Sequence, residues 1–246
     1  MRFIIMHKAD ANSENGARPD AELIARVGRM IGALSRARAL ETGEGLGPSS
    51  KGVRLQFAGG TREIIPGPFI GKDELPGGFS ILRTRTLDEA IEWATAEAAV
   101  LGDVELDIRP VNEAWDIGIT PKPAGLDTCR YMVLRKASAS TEAGVDLPAS
   151  RREALSRLIE ETTRAGVHLT RETMRPSARG RRYLNTSNGI SVFDGPFVES
   201  KELLGGYVIV KAASIDETDR MVRDYIAAVG PREVDVLELL ATQISN

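Results

Sequence analysis

The sequence has few of the side chains that build cross-links and metal sites. Among its 246 residues are one cysteine and two histidines, which excludes an internal disulfide and a cysteine-built zinc site. Aromatic residues make up 5% of the chain, and neither Trp93 nor Trp115 stands among basic residues as nucleic-acid stacking platforms do. Two glycine-rich runs, 43–47 and 67–73, lack the context of nucleotide-binding loops. We therefore expect no metal, no cofactor and no nucleic-acid partner.

Long apolar runs and an excess of one charge are also missing. No run approaches the roughly 18–20 residues of a membrane helix, and residues 1–8 turn polar too early for a signal peptide. The 32 basic and 35 acidic side chains give a net charge of −3, too little for a strong nucleic-acid field. A hydrophobic content of 42% is enough for a buried core. We expect a cytoplasmic protein with no membrane partner.

The chain does contain an internal repeat. Gly67-Pro68-Phe69 recurs as Gly195-Pro196-Phe197, an offset of 195 − 67 = 128, and the same offset aligns Gly77-Gly78 with Gly205-Gly206. No gap is needed from residue 1 to 118. The sequence thus predicts two copies of one domain, residues 1–118 and 129–246, joined by a Pro- and Gly-rich linker at 119–128.

Both copies predict the same order of elements. Apolar runs at 2–8 and 130–136 indicate strands, and apolar residues from Leu23 to Leu34 follow helical spacing. Thr86–Glu89 and Ser214–Glu217 have the capping-box pattern that opens a second helix. The resulting order, β-α-β-β-β-α-β, is close to a ferredoxin-like plan. We predict an α+β fold in which two such sheets pack face to face, as an intramolecular dimeric α+β barrel.

One segment, Asp194–Tyr207 (DGPFVESKELLGGY), is similar to the signature of the YCII-related superfamily in its DGPF subgroup. Gly43–Gly52 and Glu105–Val111 in the first copy support the resemblance, which covers nearly all of both copies. The resemblance implies a barrel of ferredoxin-like units, usually made by two chains. It leaves the activity open: a few relatives are small-molecule enzymes, including a dehydrochlorinase of a chlorinated hydroxyquinol, and relatives are often associated with extracytoplasmic-function sigma factors.

The two copies depart from the signature at different places. Pro66 stands in the first copy where Asp194 stands in the second, while Arg171 and Thr173 replace the glycines that flank Glu44. If the signature aspartate carries chemistry, only the second copy retains it. We therefore expect two unequal clefts.

Two carboxylates are the catalytic candidates. Asp194 can act as a general acid or base if it is desolvated in the barrel mouth, although Asp before Gly is also common turn chemistry. Glu172 follows the first helix of its copy, where it can face a pocket, although solvated carboxylates are the commoner outcome.

Five residues are candidates for ligand binding: Arg182, Lys201, Glu44, Arg54 and His7. The two arginines are repeat-equivalent and can hold an anionic group through a planar fork, or cover a sheet edge with their stems. Lys201 can form an ordinary exposed ion pair. His7 ends the first strand and can reach a cleft, although a hydrogen-bonded structural histidine is the commoner case.

The leading functional interpretation is a protein that binds a small molecule in a barrel cleft. Its enzymatic version is cofactor-free acid/base chemistry of a lyase or isomerase kind, with Asp194 as acid/base and Arg182 or Lys201 holding an anionic or phenolic group. The alternative is a non-enzymatic interaction module, accessory to transcription control, with a shallow cleft and an exposed apolar patch. The intramolecular pseudo-dimer leaves further homodimer formation possible.

Overall fold

A computed structural model describes residues 1–71, 75–197 and 203–240. The elements of the first repeat are β1 (Arg2–Lys8), α1 (Ala11–Glu14), α2 (Ala21–Arg36), β2 (Leu40–Gly45), β3 (Val53–Ala58), β4 (Thr61–Pro66), β5 (Pro76–Thr84), α3 (Leu87–Leu101) and β6 (Val104–Pro110). Those of the second repeat are β7 (Cys129–Lys136), α4 (Ala139–Glu142), α5 (Ala149–Arg164), β8 (His168–Thr173), β9 (Arg181–Thr186), β10 (Gly189–Asp194), β11 (Leu204–Lys211), α6 (Thr218–Val229) and β12 (Glu233–Glu238).

The repeat in the sequence is a repeat in the structure, with one strand more per copy than predicted. Strands β2 and β8 lie at sheet edges and pair only with β11 and β5. Their sequences, LETGEG and HLTRET, lack apolar alternation. Edge strands of this kind leave no periodic signal because neither face is fully buried.

The predicted capping boxes form only in part, because each glutamate accepts from the amide one residue before the expected N-cap. The Thr86 hydroxyl accepts from the Glu89 amide at 3.2 Å, and the Glu89 carboxylate accepts from the Arg85 amide at 2.7 Å. The corresponding bonds join Ser214 with Glu217 at 3.3 Å and Glu217 with the Ala213 amide at 2.9 Å. Helix α6 begins only at Thr218, with Glu217 as an N-cap that makes no side-chain cap bond, so the Ser214–Glu217 pair lies ahead of the helix and does not cap it.

Each of the two sheets is built from both repeats. Sheet A has the strand order β10-β9-β12-β1-β11-β2, and sheet B has the order β4-β3-β6-β7-β5-β8. The first repeat therefore lends β1 and β2 to the sheet of the second repeat, and receives β7 and β8 in return. The chain crosses between sheets just after β2, where the Leu46 amide donates to Gly205 and the next amide, Gly47, donates to Pro110. Each sequence repeat therefore does not form its own sheet, and each folded unit combines strands of both repeats.

The two sheets pack face to face, as the sequence predicted. Ile4, Met6 and Ile209 of sheet A share one buried cluster with Phe79 and Met132 of sheet B. Burial of this apolar surface between the sheets contributes favourably to the free energy of folding, and a single sheet would lack this contribution. The α+β architecture of two ferredoxin-like units is therefore confirmed.

Helices cover the outer faces, and the exchange of strands extends to them. Helix α2 packs beside α6 over sheet A, and α3 packs beside α5 over sheet B, so each pair combines the two repeats. The outer cores are unequal: α2 contributes Met30 and Leu34 to the sheet A cluster, whereas no α5 residue belongs to the sheet B cluster. Within the described residues, no helix is both long and apolar enough to cross a membrane.

Candidate functional site

Ion pairs between the sheets line the rim of the barrel. Arg2 of β1 donates to both carboxylate oxygens of Glu172 in β8, at 2.6 and 2.9 Å, and its Nε donates to Glu41 at 2.8 Å. Glu172 is only 6% exposed. The hydrogen bonds that Arg2 donates to Glu172 are the main reason why the pKa of Arg2 is raised, so this guanidinium is a fixed positive charge. We call the group of Arg2, Glu41, Glu172 and Lys211 the Arg2 rim.

The other rim, here called the Arg130 rim, consists of Arg130, Glu44 and Arg83, the repeat equivalents of Arg2, Glu172 and Lys211, together with Glu113, which is not equivalent to Glu41. Arg130 donates to Glu44 across the sheets and to both oxygens of Glu113, at 2.6 and 2.9 Å. Both predicted glutamates, Glu44 and Glu172, therefore lie at a rim, each held by the arginine of the other repeat. These two arginines were not among the site residues predicted from the sequence, although the offset of 128 aligns them.

The two predicted arginines Arg54 and Arg182 already have internal partners. Arg54 donates to Asp107 at 2.7 and 2.9 Å, and Arg182 donates to Asp235 at 2.6 and 2.9 Å. Lys136 approaches Asp107 to 3.5 Å, and the second repeat builds the same arrangement. Buried charges of this kind are tolerated because they are paired. The forks that were expected to hold an anionic ligand hold the carboxylates of the protein.

The Gly-Pro-Phe signature is a structural turn. Both Gly67-Pro68 and Gly195-Pro196 are cis, and a Cβ on Gly67 would lie 1.8 Å from the Ser49 carbonyl oxygen. The turn places the Phe69 ring 4.9 Å from the Arg54 guanidinium, and the second copy repeats this contact at 4.8 Å. The signature therefore covers the buried arginine pairs in both copies.

Asp194 lies at the open edge of sheet A. Its side chain is 79% exposed and accepts from Arg181 at 2.8 Å. The desolvation that the sequence analysis required for acid/base chemistry is not found at this carboxylate, because β10 is an edge strand. Lys201 lies outside the described residues. The catalytic role of Asp194 stays a prediction.

His7 faces the helices and not the rim. Its Nδ1 lies 2.6 Å from the Tyr225 hydroxyl, and Cβ atoms on Gly205 and Gly206 would each lie 2.8 Å from its ring. Burial lowers the pKa of His7 to about 4, which keeps the ring neutral near pH 7. This geometry is that of a structural histidine beneath α6.

Two shallow depressions lie at the rims. One of about 440 Å³ is lined by Met1, Arg2, Lys211, Ala212 and Ala213. The other, of about 200 Å³, is lined by Arg83, Glu113, Trp115, Leu126, Thr128 and Arg130. The offset of 128 relates them, since it aligns Arg2 with Arg130 and Arg83 with Lys211. The difference is that the connection between the repeats partly fills the second.

Two further features concern a possible metal site and the exposed apolar surface of an interaction module. Among the described residues, no three His, Cys, Asp or Glu side chains come together as a metal site would require. Val192 and Phe193 on the edge strand β10 are 40% and 50% exposed. These exposed side chains are the apolar surface with which an interaction module would contact a partner. That alternative function stays a prediction.

The fold and its rims define a class: an α+β protein with two composite ferredoxin-like units related by pseudo-twofold symmetry. A family model for the YCII-related domain matches residues 1–112 and 129–238. The chain therefore belongs to the YCII-related family, with two copies of the domain. Comparison with curated proteins and with solved structures gave no match.

Proposed function

We propose that the protein binds a small molecule with a carboxylate group in the depression of the Arg2 rim. The observation that carries the proposal is the lining of this depression, which among the described residues has two cationic side chains, Arg2 and Lys211, and no acidic one. Lys211 is 63% exposed and approaches Glu41 only to 3.4 Å. Its ammonium group is thus available to a ligand at the cost of one weak, solvent-screened contact.

The opposite rim supports the choice of a carboxylate. There, the Glu113 carboxylate occupies the fork of Arg130 in bidentate geometry, which is the arrangement that a planar guanidinium favours. The residue 128 positions after Glu113 is Ala241, which has no carboxylate. The Arg2 rim already has two internal carboxylates, Glu41 and Glu172, and we infer that a ligand carboxylate binds there chiefly through the exposed Lys211 ammonium, beside the Arg2 guanidinium.

The proposal concerns binding, not acid/base catalysis. Glu172 accepts two hydrogen bonds from Arg2, so its oxygens are committed to a cation. Asp194, the other catalytic candidate, is not among the residues that line either depression. A lyase or isomerase reaction at these carboxylates has less support from the geometry than binding has.

The test is a titration of the ¹⁵N-labelled protein with small carboxylates, namely succinate, benzoate and glutamate, followed by amide chemical shifts. We expect saturable shifts at Arg2 and at residues 211–213. Lys211→Ala should weaken binding by about tenfold, the size of one favourable charged hydrogen bond. Arg83→Ala removes the equivalent charge from the other rim and is the matched control, which should leave affinity unchanged. Shifts that are absent, or equally reduced in both variants, would contradict the proposal.

A further inference from the structure

A second concentration of charge lies beneath the helices of sheet B, away from both rims. We call it the Arg135 cluster; its members are Ser80, Glu97, Arg135, His168 and Arg171. Their positions follow from strand register: Arg171 is directly opposite Ser80, and Arg135 is opposite Gly78 on the other side of β5. Side chains two apart on a strand share a face, so these residues meet on the face that α3 and α5 cover.

Three buried hydrogen-bond donors of this cluster lack an acceptor among the described residues. The Nε atoms of Arg135 and Arg171 and the Ser80 hydroxyl are buried and lack a partner among the described residues. Arg135 donates once to the Gly77 carbonyl at 3.0 Å, and Arg171 donates to Glu97 at 3.2 Å. Buried donors are nearly always satisfied in folded proteins, so several unsatisfied donors at one place call for an acceptor.

Charge in the cluster is also unbalanced. Two guanidinium groups face one carboxylate, that of Glu97. Burial and the adjacent Arg171 lower the pKa of Arg135 to about 10, so the group still carries its charge near pH 7. His168 does not offset the excess, because burial lowers its pKa and favours the neutral ring. The described residues thus leave one buried positive charge without a counter-charge, which is costly unless an anion pairs with it.

The cluster is not fully closed to solvent. Arg171 is 17% exposed and Glu97 is 13% exposed, so solvent reaches this ion pair. Gly78 makes room for the Arg135 guanidinium in the cluster, since a Cβ there would lie 2.7 Å from an Arg135 nitrogen. A small anion can therefore approach the cluster from solvent at Arg171.

We propose that the Arg135 cluster binds a small inorganic anion, held by Arg135, Arg171 and the Ser80 hydroxyl. A monatomic halide or a compact oxyanion supplies the missing acceptor and the missing negative charge at once. This site is separate from the Arg2 rim, since the cluster faces the helices of sheet B and Arg2 faces the space between the sheets.

The experiment uses chloride and inorganic phosphate as probes of the full chain. Urea unfolding is measured at constant ionic strength while sodium gluconate is exchanged for sodium chloride or sodium phosphate, so that screening stays constant. An anion that binds only the folded state raises the unfolding midpoint with its concentration. Broadening of the ³⁵Cl resonance, and its reversal by phosphate, reports binding without reference to stability.

Two variants and a control make the outcome specific. Ser80→Val introduces the residue of the other repeat, and Arg171→Met keeps an apolar stem; each should weaken chloride binding at least tenfold. Arg164→Met removes an exposed charge from the end of α5 and should behave as the wild type. If Arg171→Met does not fold, chloride binding by Ser80→Val alone still tests the proposal. A wild type insensitive to both anions would overturn the proposal, as would chloride broadening that persists in Ser80→Val.

Discussion

The same position beneath the helices is built from opposite chemistry in the two halves of the molecule. The offset of 128 pairs the residues under sheet A with those of the Arg135 cluster: His7 with Arg135, Leu40 with His168, Gly43 with Arg171, Val208 with Ser80, and Tyr225 with Glu97. One set is apolar apart from a single His–Tyr hydrogen bond. The other carries an excess positive charge and unsatisfied donors.

This difference shows which part of the repeat is scaffold and which part is free to vary. The double glycine of β5 or β11 is kept in both halves, and in both it makes room for the large side chain that ends the first strand, Arg135 or His7. The space at the double glycine holds the neutral ring of His7 in one half and the guanidinium of Arg135 in the other. Since the half with His7 folds in the same way without a charge, the charge of Arg135 is not needed for the fold and points to a ligand.

The largest effect that separates the halves should come from His7 and pH. Its pKa is 6.5 in the unfolded reference and about 4 in the fold, because burial opposes protonation more than nearby Asp10 favours it. The unfolded chain therefore binds the proton first, and stability falls as pH drops from 6.5 to 4. At about 1.36 kcal/mol per pKa unit, the loss approaches about 3 kcal/mol.

Urea unfolding between pH 4 and 7 measures this loss. His7→Gln should remove most of the slope that the histidine causes. His168→Leu, which installs the residue of the first repeat, is the comparison: it removes only the contribution of His168, whose pKa burial also lowers, and should leave the His7 contribution in place. A slope unchanged in His7→Gln would show that the proton is taken up elsewhere.

The next effect concerns Glu97 and its counterpart Tyr225. Glu97→Gln keeps a side chain of similar size but leaves two guanidinium groups without a carboxylate. We expect a loss of about 2 kcal/mol, less than the 3–5 kcal/mol of a fully buried pair because Arg171 and Glu97 are partly exposed. Tyr225→Phe removes one neutral hydrogen bond and should cost about 1 kcal/mol.

Denaturant midpoints of both variants, measured with and without chloride, complete this comparison. Chloride should stabilise Glu97→Gln more than the wild type, because the variant has a greater excess of positive charge. Tyr225→Phe should show the wild-type response to chloride. Equal responses in the two variants would break the distinction between the halves.

The sequence predicted the parts of the fold that depend on local pattern. Strand alternation, helical spacing and the Thr86 cap of α3 are properties of short segments, and the repeat allowed most of the pattern to be interpreted twice. The exchange of β1 and β2 for β7 and β8 was not predictable in this way. Both repeats present equivalent pairing edges, so either partner satisfies the pattern, and the choice depends on the path of the chain after Leu46.

The candidate site residues could likewise be predicted from the sequence only without their long-range partners. Glu44 and Glu172 were selected from the sequence and do lie at the rims, but their partners Arg130 and Arg2 come from the other repeat. Arg171 was visible as a departure from the glycine of the first copy. Its meaning depended on the register that places it opposite Ser80, which is a long-range property of the sheet.

The smallest effect, and the one with opposite signs in the two halves, comes from exchanging Ser80 and Val208. Ser80 is 1% exposed and its hydroxyl has no partner among the described residues, so Ser80→Val should stabilise the anion-free protein by about 0.5 kcal/mol. Val208→Ser places a hydroxyl in an apolar core and should cost about 1–2 kcal/mol. Thermal unfolding in gluconate measures both. With chloride present, Ser80→Val should lose its advantage over the wild type, because it gives up a ligand of the anion. An advantage that persists in chloride would mean that the hydroxyl contacts no ion, and the two halves would then differ in packing alone.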